Sequence, residues 1–274
     1  WKLKEVIITK ANGQKAVFEP YKVESTCVRA GATKEEARRI LERIRPKLYP
    51  GITTREIYRL VLHFLSDGVN QAVKHRYRLK ESIMRMGPAG FPFETFVGRV
   101  LEHYGYRVLS IGAKMQGHCV QHEVDLILES SQDDRKWLVE CKYHNMPGRY
   151  TGLKESLYTH ARFLDLSDMV DREMLACNTK VSDEVVTYAG CIKQRILSWR
   201  YPPQNGLERL VEDKNLYPAT ILGLSRSEIE MFSRQRLMIA KDLLDVDIND
   251  FVRKTGISPK RILSLQKLVN QIIG

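Results

Sequence analysis

The sequence predicts an α/β protein in three parts: an N-terminal β-hairpin plus helical bundle over residues 1–87, a central mixed α/β sheet over 88–222, and a C-terminal small helical domain over 223–274. Three observations predict it. Two β-forming runs flank an Asn-Gly turn near the start and lead into helix-period segments. Beyond residue 105 the apolar period changes to two and strands then alternate with helices. From about Ser225 the pattern is helical to the end.

In the first part, Val6-Ile7-Ile8-Thr9 and Ala16-Val17-Phe18 are the β-forming runs, joined through Ala11-Asn12-Gly13-Gln14, whose Asn and Gly tolerate positive φ. Helical patterns follow at about 20–30, 34–47, 53–68 and 71–86. Ala37, Ile40, Leu41 and Ile44 fall on one face, as do Ile57, Leu60, Val61 and Phe64, and Thr53 with Glu56 makes a capping box. Met86-Gly87-Pro88-Ala89-Gly90 breaks the last helix and marks a domain boundary.

The second part opens with an amphipathic helix from Phe91 to Tyr104, placing Phe93, Phe96, Val97, Val100 and Leu101 inward and Glu94 near its N-terminus. Strands are expected at 107–111, 120–129 and 137–143, then a helix near 151–165, a strand near 173–177 and a helix near 183–197. The third part has three helical pieces. Thr255-Gly256-Ile257-Ser258-Pro259 supplies a glycine stop, a serine cap and a proline at the first helical position, as in a helix-hairpin-helix. No internal repeat is read from the sequence.

With 274 residues, 43% hydrophobic and 28% charged, and with 17 Gly and 10 Pro, the composition excludes a disordered, collagenous or small disulfide-built chain. No stretch has the roughly 18 uncharged apolar residues of a membrane span, and no secretory segment is read, so a cytoplasmic location is expected. The five scattered cysteines form no C-x-x-C pair and are expected reduced. Net charge is +11, unevenly placed: residues 1–88 hold 19 Lys+Arg against 9 Asp+Glu, residues 89–222 hold 16 against 18, and residues 223–274 hold 9 against 6. A strongly basic module beside a near-neutral one suggests that the first binds a polyanion, either nucleic acid or a nucleoside triphosphate.

His122-Glu123-Val124-Asp125-Leu126-Ile127 is followed, fifteen residues after the aspartate, by Glu140-Cys141-Lys142. Strand alternation puts Glu123 and Asp125 on one face with Val124, Leu126 and Leu128 on the other, and puts Glu140 and Lys142 opposite Val139 and Cys141. Two adjacent antiparallel strands then gather Asp125, Glu140 and Lys142 at one end of the sheet. Two carboxylates hold Mg²⁺ without completing its shell, and a lysine adds positive charge, a set suited to phosphodiester chemistry. The flanking Trp137-Leu138-Val139 and Tyr143 make this a poor place for idle charges. A competing set, His118, Cys119, His122, Cys141 and His144, lacks the short-loop spacing of structural zinc.

The order of Glu94, Asp125 and Glu140-x-Lys142 resembles the PD-(D/E)XK nuclease superfamily, in particular Mrr-type restriction endonucleases and archaeal Holliday-junction resolvases. Gly90-Phe91-Pro92-Phe93-Glu94 through Gly105-Tyr106-Arg107-Val108, and Asn178-Thr179-Lys180-Val181-Ser182 through Tyr188-Ala189, resemble segments of the Mrr pattern, while His122-Glu123 stands where Mrr proteins usually carry small residues. The resemblance implies a restriction endonuclease-like sheet with Asp125 and Glu140 as metal ligands together with the Cys141 position, Lys142 as catalytic lysine and Glu94 as a supporting carboxylate. Mg²⁺ or Mn²⁺ is the cofactor so implied.

Lys10-Ala11-Asn12-Gly13, then Phe18 and Lys22-Val23, with the segment ending at Tyr77 to Ile83, resembles an ATP-cone, the regulatory module of ribonucleotide reductases and their repressor. It implies ATP or dATP as a regulatory ligand near Lys10, Asn12, Gly13 and Lys22, the glycine turn admitting phosphates and the lysines neutralising them. For nucleic acid, the candidates are His122 beside the Asp125 strand, Lys154 and Arg162 with Tyr158 on one helix face, and Lys254, Lys260 and Arg261 around the C-terminal turn. The sequence thus reads as a nucleotide-regulated, divalent-metal-dependent DNA endonuclease, or alternatively as a nucleotide-sensing DNA-binding regulator that no longer cuts. Two cuts on opposite strands need two active sites, which favours a homodimer.

Overall fold

A computed structural model describes residues 6–66, 71–87 and 90–274 of the chain. They form two compact units: residues 1–80 with 264–274, and residues 81–263. The blocks 88–222 and 223–263 lie within one unit, and Pro88 and Ala89 of the expected boundary fall outside the described residues.

The first unit opens with strands β1 (Ile7–Thr9) and β2 (Lys15–Val17), antiparallel with Ile7 opposite Val17. The turn between them closes through Gly13 at φ +83, with the Lys10 and Gln14 backbones hydrogen-bonded. Helices α1 (Pro20–Arg29), α2 (Lys34–Ile44), α3 (Thr54–Ser66) and α4 (Gln71–Tyr77) follow. Thr33 with Glu36 and Thr53 with Glu56 make reciprocal caps at the starts of α2 and α3. The expected faces are buried: Ile40, Leu41 and Ile44 of α2 pack with Ile57, Val61 and Phe64 of α3 and with Val23 and Cys27 of α1. Helix α5 (Leu79–Met84) spans the end of this unit.

The second unit is built on a five-stranded mixed sheet. Its elements in chain order are α6 (Phe91–Glu102), β3 (Tyr106–Gln116), β4 (Gln121–Ser130), β5 (Lys136–Lys142), β6 (Tyr150–Thr151), α7 (Leu153–Asp165), β7 (Arg172–Cys177), β8 (Lys180–Val181), α8 (Asp183–Ile192) and β9 (Arg195–Leu197). The spatial order is β3-β4-β5-β7-β9, antiparallel across β3, β4 and β5 and parallel across β5, β7 and β9. Strands β6 and β8 form a separate parallel pair. The protein is therefore of mixed α/β class with helical elements at both ends of the chain, as its sequence predicts.

Helix α6 buries Phe93, Phe96, Val97, Val100 and Leu101. Gly98 lets it approach the sheet, since an added Cβ would lie 3.3 Å from Val108 and 3.4 Å from Leu126. On the other face, α7 lays Phe163 and the following Leu166 on Ile127 and Leu138. Glu173 of β7, 4% exposed, is fully engaged: Oε1 meets His160 Nδ1 at 2.6 Å and Oε2 accepts from Gln194 Nε2 at 2.8 Å. Gln194 in turn donates to the Ser156 carbonyl at 3.1 Å, so this network pins α7 to the sheet.

The rest of the unit comprises α9 (Leu207–Asp213), α10 (Arg226–Arg234), α11 (Ile248–Thr255) and the first residues of α12 (Pro259–Ile273). Here the structure reveals an internal repeat that the sequence reading passes over. Gly223-Leu224-Ser225 and Gly256-Ile257-Ser258 both place glycine at positive φ, +72 and +71, and both serines accept from the backbone N–H three residues on. Ile229 and Ile262, four residues past each serine, are both buried. The repeat is hidden because the intervening residues differ; what recurs is a left-handed stop, a serine cap and one apolar anchor.

Removing one partner of the buried polar network leaves the others desolvated and unpaired. Glu173→Ala is expected to cost about 3–5 kcal/mol. Denaturant unfolding of the variant beside wild type measures it.

Candidate active site

The site forms where β4 and β5 part. Their ladder ends at the Leu126–Val139 pair, and immediately beyond it the Asp125 carboxylate takes the place of a ladder partner, accepting from the Cys141 backbone N–H at 2.6 Å. On the other side of β4, Ile111 pairs with Leu126 and Ala113 with Val124, while Gly112 between them adopts φ +65. Val124 packs in one cluster with Ile127 and Leu138 on the α7 face, whereas Leu126 reaches Gly98 of α6. This corrects the expectation that Val124 and Leu126 share a face: the change falls at Asp125, immediately past the end of the β4–β5 ladder.

Glu140 lies on β5, the central strand, and is 3% exposed. Its charge is compensated on both oxygens, Oε1 by Lys142 Nζ and Oε2 by the Arg162 guanidinium reaching in from α7. Lys142 keeps its side chain 36% exposed, so one end of the cluster opens to solvent.

Glu94, one turn into α6, completes the group. Burial, then repulsion from Asp125, Glu140 and Glu123, pushes its carboxyl up to about 7. Asp125 rises to about 6, because of burial and then Glu140, against the lowering pull of the Cys141 N–H and of Lys142 and Arg162. Burial and mutual repulsion thus make both carboxyls hold a proton to higher pH than a free carboxyl does.

The donor set suits a hard cation held by few protein ligands. Among the described residues no three or more His, Cys, Asp or Glu groups are arranged to hold a metal ion. Asp125 and Glu140 are two carboxylates at the same parting of strands, beside a partly exposed Lys142, a donor type that a hard divalent cation accepts in small number, its shell being otherwise water. Cys141 contributes its backbone N–H to Asp125; its thiol is buried and pushed well up, which keeps it protonated.

The other sequence candidates are distributed more widely. His122 is held 2.7 Å from Asp165, whose oxygens also accept from the Cys119 and Val120 N–H groups, so it closes the β3–β4 turn. Lys154 is exposed and lies over the Tyr158 ring, 5.5 Å from its centroid. Arg162 does not share that outer face but points inward to Glu140. Lys254 pairs with Asp250 at 2.7 Å, and Arg261 is held by Glu228 through Nε at 2.8 Å and Nη2 at 3.3 Å, while Lys260 is exposed. In the first unit, Lys10 and Lys22 line one cavity of about 300 Å³ with Phe18, Tyr58 and Tyr77, the two tyrosine rings stacked at 5.5 Å. Lys22 also pairs with Glu19 at 2.8 Å; Asn12 and Gly13 shape the adjoining turn, Asn12 Oδ1 accepting from the Gln14 N–H. The role of Arg162 at Glu140 is what sequence reasoning missed; its signal was only its place two turns along the helix from Lys154.

A carboxyl whose folded value is raised above its unfolded value contributes stability below the unfolded value and loses it as pH rises through the folded one. For Glu94 the window runs from about 4.5 to about 7. Glu94→Gln is therefore expected to raise stability at pH 8 by about 1–3 kcal/mol and to leave it nearly unchanged at pH 4. Thermal melts at the two pH values check this.

A family model described as AF1548-like, C-terminal, matches residues 217–273. An Archaeoglobus fulgidus protein described as uncharacterized is 35% identical over 179 residues, which cover 65% of this chain and 100% of the relative. A crystal structure described as the protein of unknown function AF1548 superposes with a TM-score of 0.61 at 34% identity, over 67% of this chain and 98% of that one. The DNA modification-dependent restriction endonuclease AspBHI gives a slight likeness, with a TM-score of 0.36 at 13% identity over 58% of this chain and 38% of that one. With the A. fulgidus relative matched over its full length at this identity, the chain belongs to the AF1548-like family.

Proposed function

We propose that this protein is a nucleotide-regulated, divalent-metal-dependent DNA endonuclease that hydrolyses phosphodiester bonds. The observation that carries the reading is the pair Asp125 and Glu140 at the parting of two strands, beside Lys142 and Glu94. Asp125 and Glu140 would hold Mg²⁺ or Mn²⁺. When bound, the ion supplies a more acidic water and neutralises charge on the phosphate.

In the overall reaction the oxygen of water bonds to phosphorus, one phosphorus–oxygen ester bond breaks, the water loses a proton and the leaving oxygen gains one. Lys142, with its Nζ at the open end, is placed to orient the water and to offset charge on the phosphate. Glu94, raised to about 7, takes up and gives back a proton near neutral pH. DNA is the substrate proposed, and cutting both strands would call for a homodimer.

The nucleotide half of the proposal rests on the cavity that joins Lys10 and Lys22 to the stacked Tyr58 and Tyr77. Two ammonium groups suit a triphosphate and an aromatic wall suits a base. Nucleotide held there would be ATP or dATP, with Asn12 and Gly13 letting the turn approach the phosphates.

A second reading, a nucleotide-sensing DNA-binding regulator that does not cut, is favoured by one observation: both oxygens of Glu140 are already taken by Lys142 and Arg162. Nicking of supercoiled plasmid with Mg²⁺ or Mn²⁺, with and without ATP and dATP, separates the two. Cleavage that falls by about 10²-fold or more in Asp125→Ala is the expected result; DNA retention without nicking under either metal would favour the regulator. For the nucleotide, Lys22→Ala is expected to weaken ATP binding about tenfold in a calorimetric titration, and unchanged affinity would remove Lys22 from the site.

A further inference from the structure

Arg162 is the second of two cations on one buried carboxylate. Its guanidinium reaches from the inner side of α7 to a carboxylate that already has Lys142, and its side chain remains 24% exposed while the Glu140 side chain is 5% exposed. Arg162 also acts on Asp125, lowering its carboxyl against the raising effects of burial and Glu140. A guanidinium at this place is within reach of both carboxylates proposed to hold a divalent ion. Two cations and a further metal ion on the two oxygens of Glu140 would repel one another, so the ion and Arg162 compete for that carboxylate.

The anchoring of α7 makes the exchange local. His160, two residues before Arg162, is tied to Glu173, and Ser156 to Gln194, so the helix backbone is held while the arginine side chain has rotamers of its own. We propose that Arg162 is a catalytic residue of phosphodiester cleavage: it pairs with Glu140 where Mg²⁺ or Mn²⁺ would be held, and, displaced from that carboxylate, its guanidinium would turn to the phosphate under attack. The inference rests on the nuclease reading and deepens it. A planar guanidinium offers paired N–H donors to two phosphate oxygens, which a lysine at the same place cannot reproduce. No bond beyond those of the hydrolysis itself is made or broken, and Arg162 keeps its proton throughout.

The account predicts opposite effects of one substitution on two readouts. In the full chain, Arg162→Met removes the competing charge while keeping most of the side chain's length. Mn²⁺ affinity, measured by calorimetry without DNA, is expected to rise at least threefold, and plasmid nicking at saturating Mn²⁺ to fall about 10²–10³-fold. Arg162→Lys keeps the charge without the fork and is expected to hold wild-type Mn²⁺ affinity within about twofold while nicking still falls at least tenfold. Melting temperatures within a few degrees of wild type establish that both variants fold. Equal or weaker Mn²⁺ binding by a folded Arg162→Met, or nicking within threefold of wild type, would overturn the proposal; so would loss of metal affinity in both variants, the signature of a merely structural arginine. Failure of the nuclease reading looks different: the wild type would then bind no Mn²⁺ and nick nothing.

Discussion

The buried charge of Glu140 is the constraint on which the second unit depends. A carboxylate 3% exposed on the central strand of a sheet is costly unless cations or hydrogen bonds meet it. The fold meets it twice, with Lys142 two residues along the same strand and with Arg162 from α7. Everything that brings α7 to the sheet therefore serves the site: Phe163 and Leu166 on Ile127 and Leu138, and the Glu173–His160–Gln194 network behind them.

Across the sheet, α6 brings the opposing requirement. Gly98 lets the helix approach Leu126, and the same approach sets Glu94 among Asp125, Glu140 and Glu123. The carboxyls of Glu94 and Asp125 are raised because burial and like charge disfavour ionisation, with two cations too few to offset them. The parting of β4 from β5 gives Asp125 its place there, facing the Cys141 N–H.

Much of this architecture is legible in the sequence because it is local. The Asn-Gly hairpin, the Thr-x-x-Glu caps, the buried faces of α2, α3 and α6, and the period-two strands bearing Asp125 and Glu140 all follow from short-range patterns. What escaped depends on contacts distant in the chain or on backbone form. Lys154, Tyr158 and Arg162 read as one face at a spacing of four, yet each such step advances about 40° around a 3.6-residue helix, so two steps carry Arg162 inward. His122 looked free to meet a substrate until Asp165, 43 residues on, closed the turn around it. The Val124 and Leu126 faces could be assigned only with the end of the β4–β5 ladder, which falls beside Asp125. The repeated glycine-serine turns share three positions, too few to stand out before their matching φ values are seen.

As proposed, Asp125 and Glu140 would hold a divalent cation. The most direct measurement is the melting temperature of the full chain at pH 8 with and without millimolar Mn²⁺, for wild type and for Asp125→Asn. The account predicts that Mn²⁺ raises the wild-type value by several degrees and leaves that of Asp125→Asn almost unmoved. An equal rise in both proteins, or none in either, would contradict it.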